Sequence, residues 1–176
     1  MDFFRRTGKV AIGSRLRMLT DKVTEDGAAI YKLYDIDMQP KWFPVFYSLI
    51  EGEDQTITAI AKAIGHSHPS VSKIISEMIE KGYVEEKKDQ ADGRRTLVAL
   101  TKKGRTIAAK IADQLIDVNA AVEELSAKAT NDLWQAIEEW EFLLEQKSLL
   151  KRVMEKKKER NSELVKIIDY KPQYQD

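Results

Sequence analysis

The sequence predicts a mainly α-helical protein with one small β-hairpin, and three observations support this fold class. Apolar residues recur at helical spacing over most of the chain. Two short helical patterns, joined by a turn that contains Gly65, fill residues 56–82. Two strand-like runs then flank the turn signal Asp92-Gly93. A hairpin that directly follows a helix-turn-helix is a wing, so we expect a winged helix-turn-helix with long terminal helices.

Composition narrows the classes of function. The 176 residues suit one domain with extensions, and the chain has no cysteine, which excludes disulfides, thiolate metal sites and thiol redox sensing. The start of the chain lacks the apolar stretch of a secretory signal, and no run approaches the roughly 18 apolar residues of a membrane span. We therefore expect a cytoplasmic protein with no membrane partner and no cofactor.

Charge is unevenly distributed although the net charge is zero. Residues 60–110 carry 11 Lys or Arg against 6 Asp or Glu, a surplus of 5 positive charges. Residues 111–146 carry 1 basic against 9 acidic residues, and residues 147–160 carry 7 basic against 2 acidic. The middle of the chain would attract a polyanion. The basic run at 147–160 either shares this attraction or forms a solvated helix face, and we favour the solvated face.

The first segments predict two helices before the helix-turn-helix. Apolar spacing predicts a long helix over residues 1–34, loosened by Gly8, Gly13 and Gly27. A loop over 35–40 follows, and Pro40 opens a second helix, where a proline in the first turn costs no hydrogen bond. This second helix is rich in aromatic residues and must be largely buried.

The helix-turn-helix at 56–82 shows capping signals at each helix end. Thr56 and Ser67 are residue types that cap helix N-termini, and Pro69 fits a first turn. Gly65 and Gly82 are suited to terminating the two helices.

The wing and two long helices follow. The wing is predicted at 83–101, and Thr101 can cap a helix that runs to about residue 125. A last helix is expected from about residue 130 to 160. Helices 1–34 and 102–160 carry more apolar surface than a small winged core can cover, which indicates a homodimer interface.

Two stretches resemble the MarR family of winged-helix transcription regulators: ITAIAKAIGHSHPSVSKIISEMIEKGYV at 57–84 and DQADGRRTLVALTKKGR at 89–105. Within the second, Asp92-Gly93-Arg94 and Leu100-Thr101-Lys102-Lys103-Gly104 match the family's Asp-x-Arg and Leu-Thr-x-x-Gly patterns. The helix order over residues 1–160 agrees as well. The resemblance implies a homodimeric repressor or activator that binds a pseudo-palindrome in double-stranded DNA, with a small-molecule effector as a further expected partner.

The second helix of the helix-turn-helix should supply the DNA contacts. Its apolar residues Val71, Ile74 and Met78 point inward, and the N-terminal half of such a helix enters the major groove. The outward or end positions are the DNA-binding candidates Ser67, His68, Pro69, Ser70, Ser72 and Lys73. Ser67 either caps the helix or contacts DNA, His68 either contacts a phosphate or is merely exposed, and Lys73 suits a guanine or a phosphate. His66 and His68 have poor spacing for a metal site.

In the wing, the resemblance makes Arg94 the arginine that enters the minor groove. Asp92 is interpreted as the partner that orients a wing arginine, and Gly93 as part of the turn. Arg95 is either that oriented arginine or a phosphate contact. Four lysines are either phosphate neighbours or solvated surface: Lys87, Lys88, Lys102 and Lys103.

An aromatic cluster lies where the resembling family binds small ligands: Trp42, Phe43, Phe46 and Tyr47. It forms either ordinary core or an effector pocket, and core packing is the stronger interpretation. An effector would act by shifting the spacing of the two recognition helices in a dimer.

Two alternatives to a regulator remain at the level of sequence. Residues 165–176, VKIIDYKPQYQD, resemble the opening strand of a GNAT-type N-acetyltransferase domain, so 161–176 are either a tail or the start of a missing domain. The chain would then be the regulatory part of an acetyltransferase fusion. The other alternative is a helical interaction module that does not bind DNA. The sequence itself has no phosphate loop, nucleophile elbow or His-x-x-x-His motif, so we do not expect an enzyme.

Overall fold

A computed structural model describes residues 2–168, with side chains described for residues 3–162. Two compact units divide at Asn119, inside a long helix. The elements in chain order are α1 Asp2–Thr7, α2 Ile12–Leu33, α3 Phe43–Glu51, α4 Ile57–Ala63, α5 His68–Glu80, β1 Val84–Lys88, β2 Thr96–Leu100, α6 Lys102–Lys128, α7 Leu133–Gln146 and α8 Leu149–Ile168. Short 3-10 helices occupy Gly8–Ala11 and Pro40–Trp42. The fold class predicted from the sequence is confirmed.

The prediction of one continuous first helix is wrong. Gly8 has a φ of +62°, a left-handed conformation that glycine adopts without steric cost, and it separates α1 from α2. Gly13 and Gly27 lie within α2, which is unbroken. Of these three glycines, only Gly8, which has a positive φ, ends a helix.

The core of the first unit gathers around the helix-turn-helix. Trp42 and Phe46 pack edge-on against the Tyr83 ring, each with its ring centroid 6.4 Å from that of Tyr83. From α5, Val71, Ile74 and Met78 enter the same cluster, as their spacing predicted. This burial fixes which face of α5 is left toward solvent.

The predicted caps of the helix-turn-helix are confirmed. The hydroxyl oxygens of Thr56 and Ser67 accept hydrogen bonds from the backbone N–H groups of Ala59 and Ser70, at 3.2 and 3.4 Å. Gly65 follows α4 with a φ of +67°. Local chemistry therefore sets the boundaries of both helices.

The wing is an antiparallel hairpin in which Val84 pairs with Leu100 and Lys88 with Thr96. A third segment joins it, because Gln55 and Val98 exchange backbone hydrogen bonds of 2.8 and 3.2 Å. Pairing at Gln55 attaches the wing to the segment that leads into α4.

A close backbone junction joins β1 to the start of α6. The Thr101 hydroxyl donates to the Gly82 carbonyl at 2.7 Å and accepts from the Gly104 N–H at 3.0 Å. The Thr101 N–H donates to the Tyr83 carbonyl at 3.0 Å. Gly104 is buried against this carbonyl group, and a Cβ there would overlap the Tyr83 oxygen. The Leu-Thr-x-x-Gly pattern thus encodes the start of α6, which packs closely against the backbone directly before β1.

The second unit contains a helix break that the sequence did not predict. The expected helix at 130–160 is two helices, since Lys147 adopts an extended conformation, with a φ of −157° and a ψ of 114°, between α7 and α8. The Ser148 hydroxyl accepts from the Lys151 N–H at 3.3 Å and so caps α8. Residues 165–168 lie in α8, so the strand predicted there is wrong, and residues 169–176 lie outside the described residues.

We expect Gly104→Ala to lower the free energy of unfolding by about 3 kcal/mol, because its methyl group would force α6 away from Tyr83. Urea denaturation followed by circular dichroism measures this. The matched control is Gly13→Ala in α2, where nothing lies within 4 Å of an added Cβ and stability should rise by roughly 0.5–1 kcal/mol. Equal stabilities for the two variants would contradict the junction.

Candidate nucleic-acid interface

The N-terminal end of α5 presents the predicted DNA-contacting residues. Ser67, His68, Pro69, Ser70 and Lys73 are exposed, whereas Ser72 is half-buried. Ser67 is engaged as the helix cap, which leaves its hydroxyl able to donate outward. A helix N-terminus with exposed hydroxyls and a lysine is suited to phosphate and base-edge contacts.

The wing holds two arginines by separate carboxylates. The Arg94 side chain is 92% exposed, and its Nε donates to Asp92 Oδ1 at 3.1 Å. The Arg94 backbone N–H also donates to Asp92, at 3.2 Å. Hydrogen bonds from the Arg94 guanidinium and backbone lower the pKa of Asp92. Asp92 therefore pairs with Arg94 and holds it at the tip of the hairpin.

Arg95 has a different partner from the one the sequence suggested. Its Nη1 lies 3.6 Å from Asp89 Oδ2, so Asp89, and not Asp92, orients it. Gly93 is exposed in the turn of the hairpin, between Asp92 and Arg94. Asp92 pairs with Arg94 because the Asp92 carboxylate, in a short Asx turn, accepts hydrogen bonds from the residue two positions later in the same loop.

The four lysines near the wing differ in their surroundings. Lys87 forms an ion pair with Asp54, and Lys103 donates to the Lys81 carbonyl at 2.7 Å while covering the Tyr83 ring. Lys88 and Lys102 are exposed. Lys103 is thus part of the fold, and Lys88 and Lys102 are the better placed of the four to meet phosphates.

The C-terminal half of α5 is clamped by a pair of contacts that sequence reasoning missed. Glu77 accepts hydrogen bonds from Trp42 Nε1 at 2.7 Å and from Lys41 Nζ at 2.9 Å. These two hydrogen bonds lower the pKa of Glu77, and the bond from Lys41 has the larger effect. Helical periodicity places Glu77 beside the buried face of α5 but cannot identify a partner that lies 35 residues away.

A second clamp holds the end of α5 to the loop after α2. Lys81 Nζ donates to Asp37 Oδ2 at 2.6 Å, and the Tyr83 hydroxyl donates to the Asp37 carbonyl at 2.8 Å. Together the two clamps hold the C-terminal end of α5, whereas Ser70 and Lys73 near its N-terminal end are exposed.

The predicted aromatic cluster divides into core and cavity wall. Trp42 and Phe46 are fully buried in the core. Phe43 and Tyr47 line an open cavity of about 430 Å³, together with residues from the end of α4. A hydrogen bond to Glu51, which also lines this cavity, raises the pKa of Tyr47. Core packing therefore describes Trp42 and Phe46, and the effector pocket stays a prediction for Phe43 and Tyr47, which border the cavity.

The described residues contain neither a cluster of metal-binding side chains nor a membrane-spanning helix. In residues 2–168 no group of three or more His, Cys, Asp or Glu side chains is placed to hold a metal ion. His66 Nδ1 lies 2.9 Å from the Ile64 carbonyl oxygen, within its own turn. Over the same residues, no helix combines the length and apolar character that crossing a bilayer requires.

The helix-turn-helix, its hairpin wing and the charged side chains at their tips define a winged-helix protein of the DNA-binding class. Residues 36–95 match the model of the MarR family. The chain is thus similar to the MarR family over this segment, and its fold is that of MarR-type transcription regulators. No curated protein matches the chain by sequence.

Solved structures share this fold. A MarR/EmrR family transcriptional regulator from Acinetobacter sp. ADP1 has a TM-score of 0.63 at 18% identity, covering 81% of this chain and 98% of that one. The transcriptional repressor CouR, bound to a 23-mer DNA duplex, has a TM-score of 0.57 at 20% identity, covering 75% and 90%. The PcaV transcriptional regulator from Streptomyces coelicolor, in complex with its natural ligand, has a TM-score of 0.54 at 14% identity, covering 74% and 91%.

We expect Glu77→Gln to lower Tm at pH 7, because glutamine keeps an acceptor for Trp42 but loses the charge that pairs with Lys41. Since folding lowers the Glu77 pKa, this stabilisation is present above the ordinary glutamate range and is lost as the pH falls through the folded pKa. The difference in Tm from the unchanged protein should therefore shrink toward acid pH.

Thermal denaturation from pH 7 to pH 3 measures this difference. Glu80→Gln, an exposed change on the same helix, is the matched control and should give a small difference with little pH dependence. A Glu77→Gln difference that stays constant down to pH 3 would show that the clamp contributes nothing.

Proposed function

We propose that the protein is a sequence-specific transcription regulator that binds a pseudo-palindromic DNA operator as a homodimer in the cytoplasm. The observation that carries this proposal is that the N-terminal end of α5 and the tip of the wing are both exposed, while the C-terminal end of α5 is held by side-chain hydrogen bonds. The free end of α5 presents Ser70 and Lys73, and the wing presents Arg94 on Asp92. A helix end suits the major groove, and an exposed arginine suits the adjacent minor groove.

Exposed apolar side chains support the homodimer. In α2, Leu16, Met18, Leu19 and Val23 are all more than 40% exposed. In α7, Leu133, Trp134 and Trp140 are more than half exposed. Surface of this kind on a charged chain indicates a partner, and a second copy would give the two-fold symmetry that a palindromic operator requires.

The similar structures agree with this proposal. CouR is a repressor that has been solved on duplex DNA. Blocking transcription is a direct consequence of operator occupancy, so repression is the simplest mode of action.

The cavity beside Phe43 and Tyr47 is the proposed site for an effector. Glu51 is the one charged side chain among its lining residues, so a neutral or cationic aromatic compound should fit better than an aromatic acid. Benzamidine and benzoate are matched probes of this preference. We expect benzamidine to raise Tm more than benzoate, and Glu51→Gln to remove the difference. Shifts that are flat for both compounds would argue against the cavity as a ligand site.

The DNA proposal is tested by selection from a random double-stranded pool at ~150 mM salt. We expect an inverted repeat with half-sites about 10 base pairs apart, since two recognition helices related by a two-fold axis read one face of the duplex. No enrichment by a folded, dimeric protein would favour the interaction module or the regulatory part of an acetyltransferase fusion.

On the selected site, Arg94→Ala should weaken binding at least tenfold while the dimer persists, because it removes the wing contact alone. Lys128→Ala removes the same charge from the exposed end of α6 and is the matched control. Binding curves that overlay for the Arg94→Ala variant and the unchanged protein would refute the assignment of the wing.

A further inference from the structure

The second unit leaves large apolar side chains uncovered on two helices of opposite charge. Between 41% and 74% of each remains exposed: Leu133, Trp134, Ile137, Trp140, Phe142, Leu143 and Leu144 on α7, and Leu149, Leu150, Val153 and Met154 on α8. Because both helices remain this exposed within one chain, α8 does not cover the α7 of its own chain.

On α7 the apolar side chains form a stripe with an acidic margin. Leu133, Ile137, Trp140 and Leu144 have the 4-3-4 spacing of a helix–helix seam. At about 100° per residue they share a sector of roughly 60°, and the exposed Glu141 and Glu145 occupy the sector beside it.

On α8 the corresponding face begins apolar and ends basic. Leu149, Leu150 and Val153 lie on one side of the first two turns. Lys157 and Arg160 continue the same side one to two turns later, and both are exposed. The face therefore offers apolar contact at its start and positive charge at its end.

The corner between the helices is held by specific bonds. Arg152 donates from Nη2 to the Leu143 carbonyl at 2.8 Å and from Nε to the Lys147 carbonyl at 3.1 Å, so it satisfies the end of α7. Lys147 also pairs with Glu155. These contacts fix where α8 departs from α7 and keep the α8 face presented outward.

We propose that α8 of one copy lies against α7 of a second copy of this chain. Its apolar start would cover the stripe around Ile137 and Trp140, and Lys157 and Arg160 would face Glu141 and Glu145. The occupant is a second copy because this chain carries both complementary surfaces, each too apolar to remain in water. The inference rests on the proposed homodimer and assigns one contact within it.

Charge reversal in two separate full-length chains tests the contact. The basic-α7 chain carries Glu141→Lys and Glu145→Lys, and the acidic-α8 chain carries Lys157→Glu and Arg160→Glu. Each alone should self-associate roughly tenfold or more weakly than the unchanged protein, because like charges would then meet in both copies of the contact. An equimolar mixture should recover the unchanged affinity, since both contacts in a mixed dimer again join opposite charges.

Sedimentation velocity measures association, and circular dichroism confirms that each chain is folded. The matched control carries Lys151→Glu and Lys158→Glu, the same change in charge on the other side of α8, and should associate like the unchanged protein. Equal weakening by the control and the acidic-α8 chain would overturn the proposed face.

The remaining outcomes separate this contact from the proposed function. If both reversed chains dimerise as tightly as the unchanged protein, the α7–α8 contact is wrong while the dimeric regulator stands. If the acidic-α8 chain keeps its dimer but loses affinity for the selected DNA, α8 is a polyanion surface and the contact is wrong. Reversed chains that weaken association without recovery on mixing would also overturn it. An unchanged protein that is monomeric at tens of micromolar would refute the homodimer itself.

Discussion

The contact between the buried Gly104 and the Tyr83 carbonyl governs how the wing, the recognition helix and α6 fit together. Thr101 stabilises the approach by bonding to Gly82 and Tyr83 on one side and to Gly104 on the other. A side chain larger than hydrogen at Gly104 would displace the start of α6. Because β1 follows α5 through Gly82 and Tyr83, the same contact also fixes where the wing emerges relative to the recognition helix.

Tyr83 extends this junction into the core and toward α2. Its ring packs against Trp42 and Phe46, and its hydroxyl binds the Asp37 carbonyl, so one side chain connects three parts of the first unit. Burial raises the pKa of Tyr83, which keeps the hydroxyl protonated and able to donate. The C-terminal end of α5 is consequently held by side-chain hydrogen bonds as well as by packing, whereas the side chains of Ser70 and Lys73 near its N-terminal end are exposed.

Local chemistry explains which features the sequence predicted. The caps at Thr56 and Ser67 depend on residues within three positions of each other, and Asp92 reaches Arg94 two positions away. The missed features have other causes. The break at Gly8 requires a choice among several glycines, and the break at Lys147 involves bonds from the Arg152 guanidinium to two backbone carbonyls, which helical periodicity does not reveal. Glu77 with Trp42, and Gln55 with Val98, are pairs that only the folded chain brings together.

Asp37 connects the end of α2 to the C-terminal end of α5, the helix proposed to bind DNA. The loop that carries it follows α2 directly, and its carboxylate and carbonyl groups hold Lys81 and Tyr83 at the end of α5. The hydroxyl of Tyr34, at the end of α2, donates to Asp117 in α6, so the same loop is anchored to α6 as well. A ligand can shift recognition only through contacts that differ between two arrangements of the protein. Exposed ion pairs such as Lys81–Asp37 rearrange at low cost, whereas the buried packing of Tyr83 does not. Within this loop the Lys81–Asp37 ion pair is therefore the contact that can rearrange at low cost, whereas Ile36 and Met38 anchor the loop in the core.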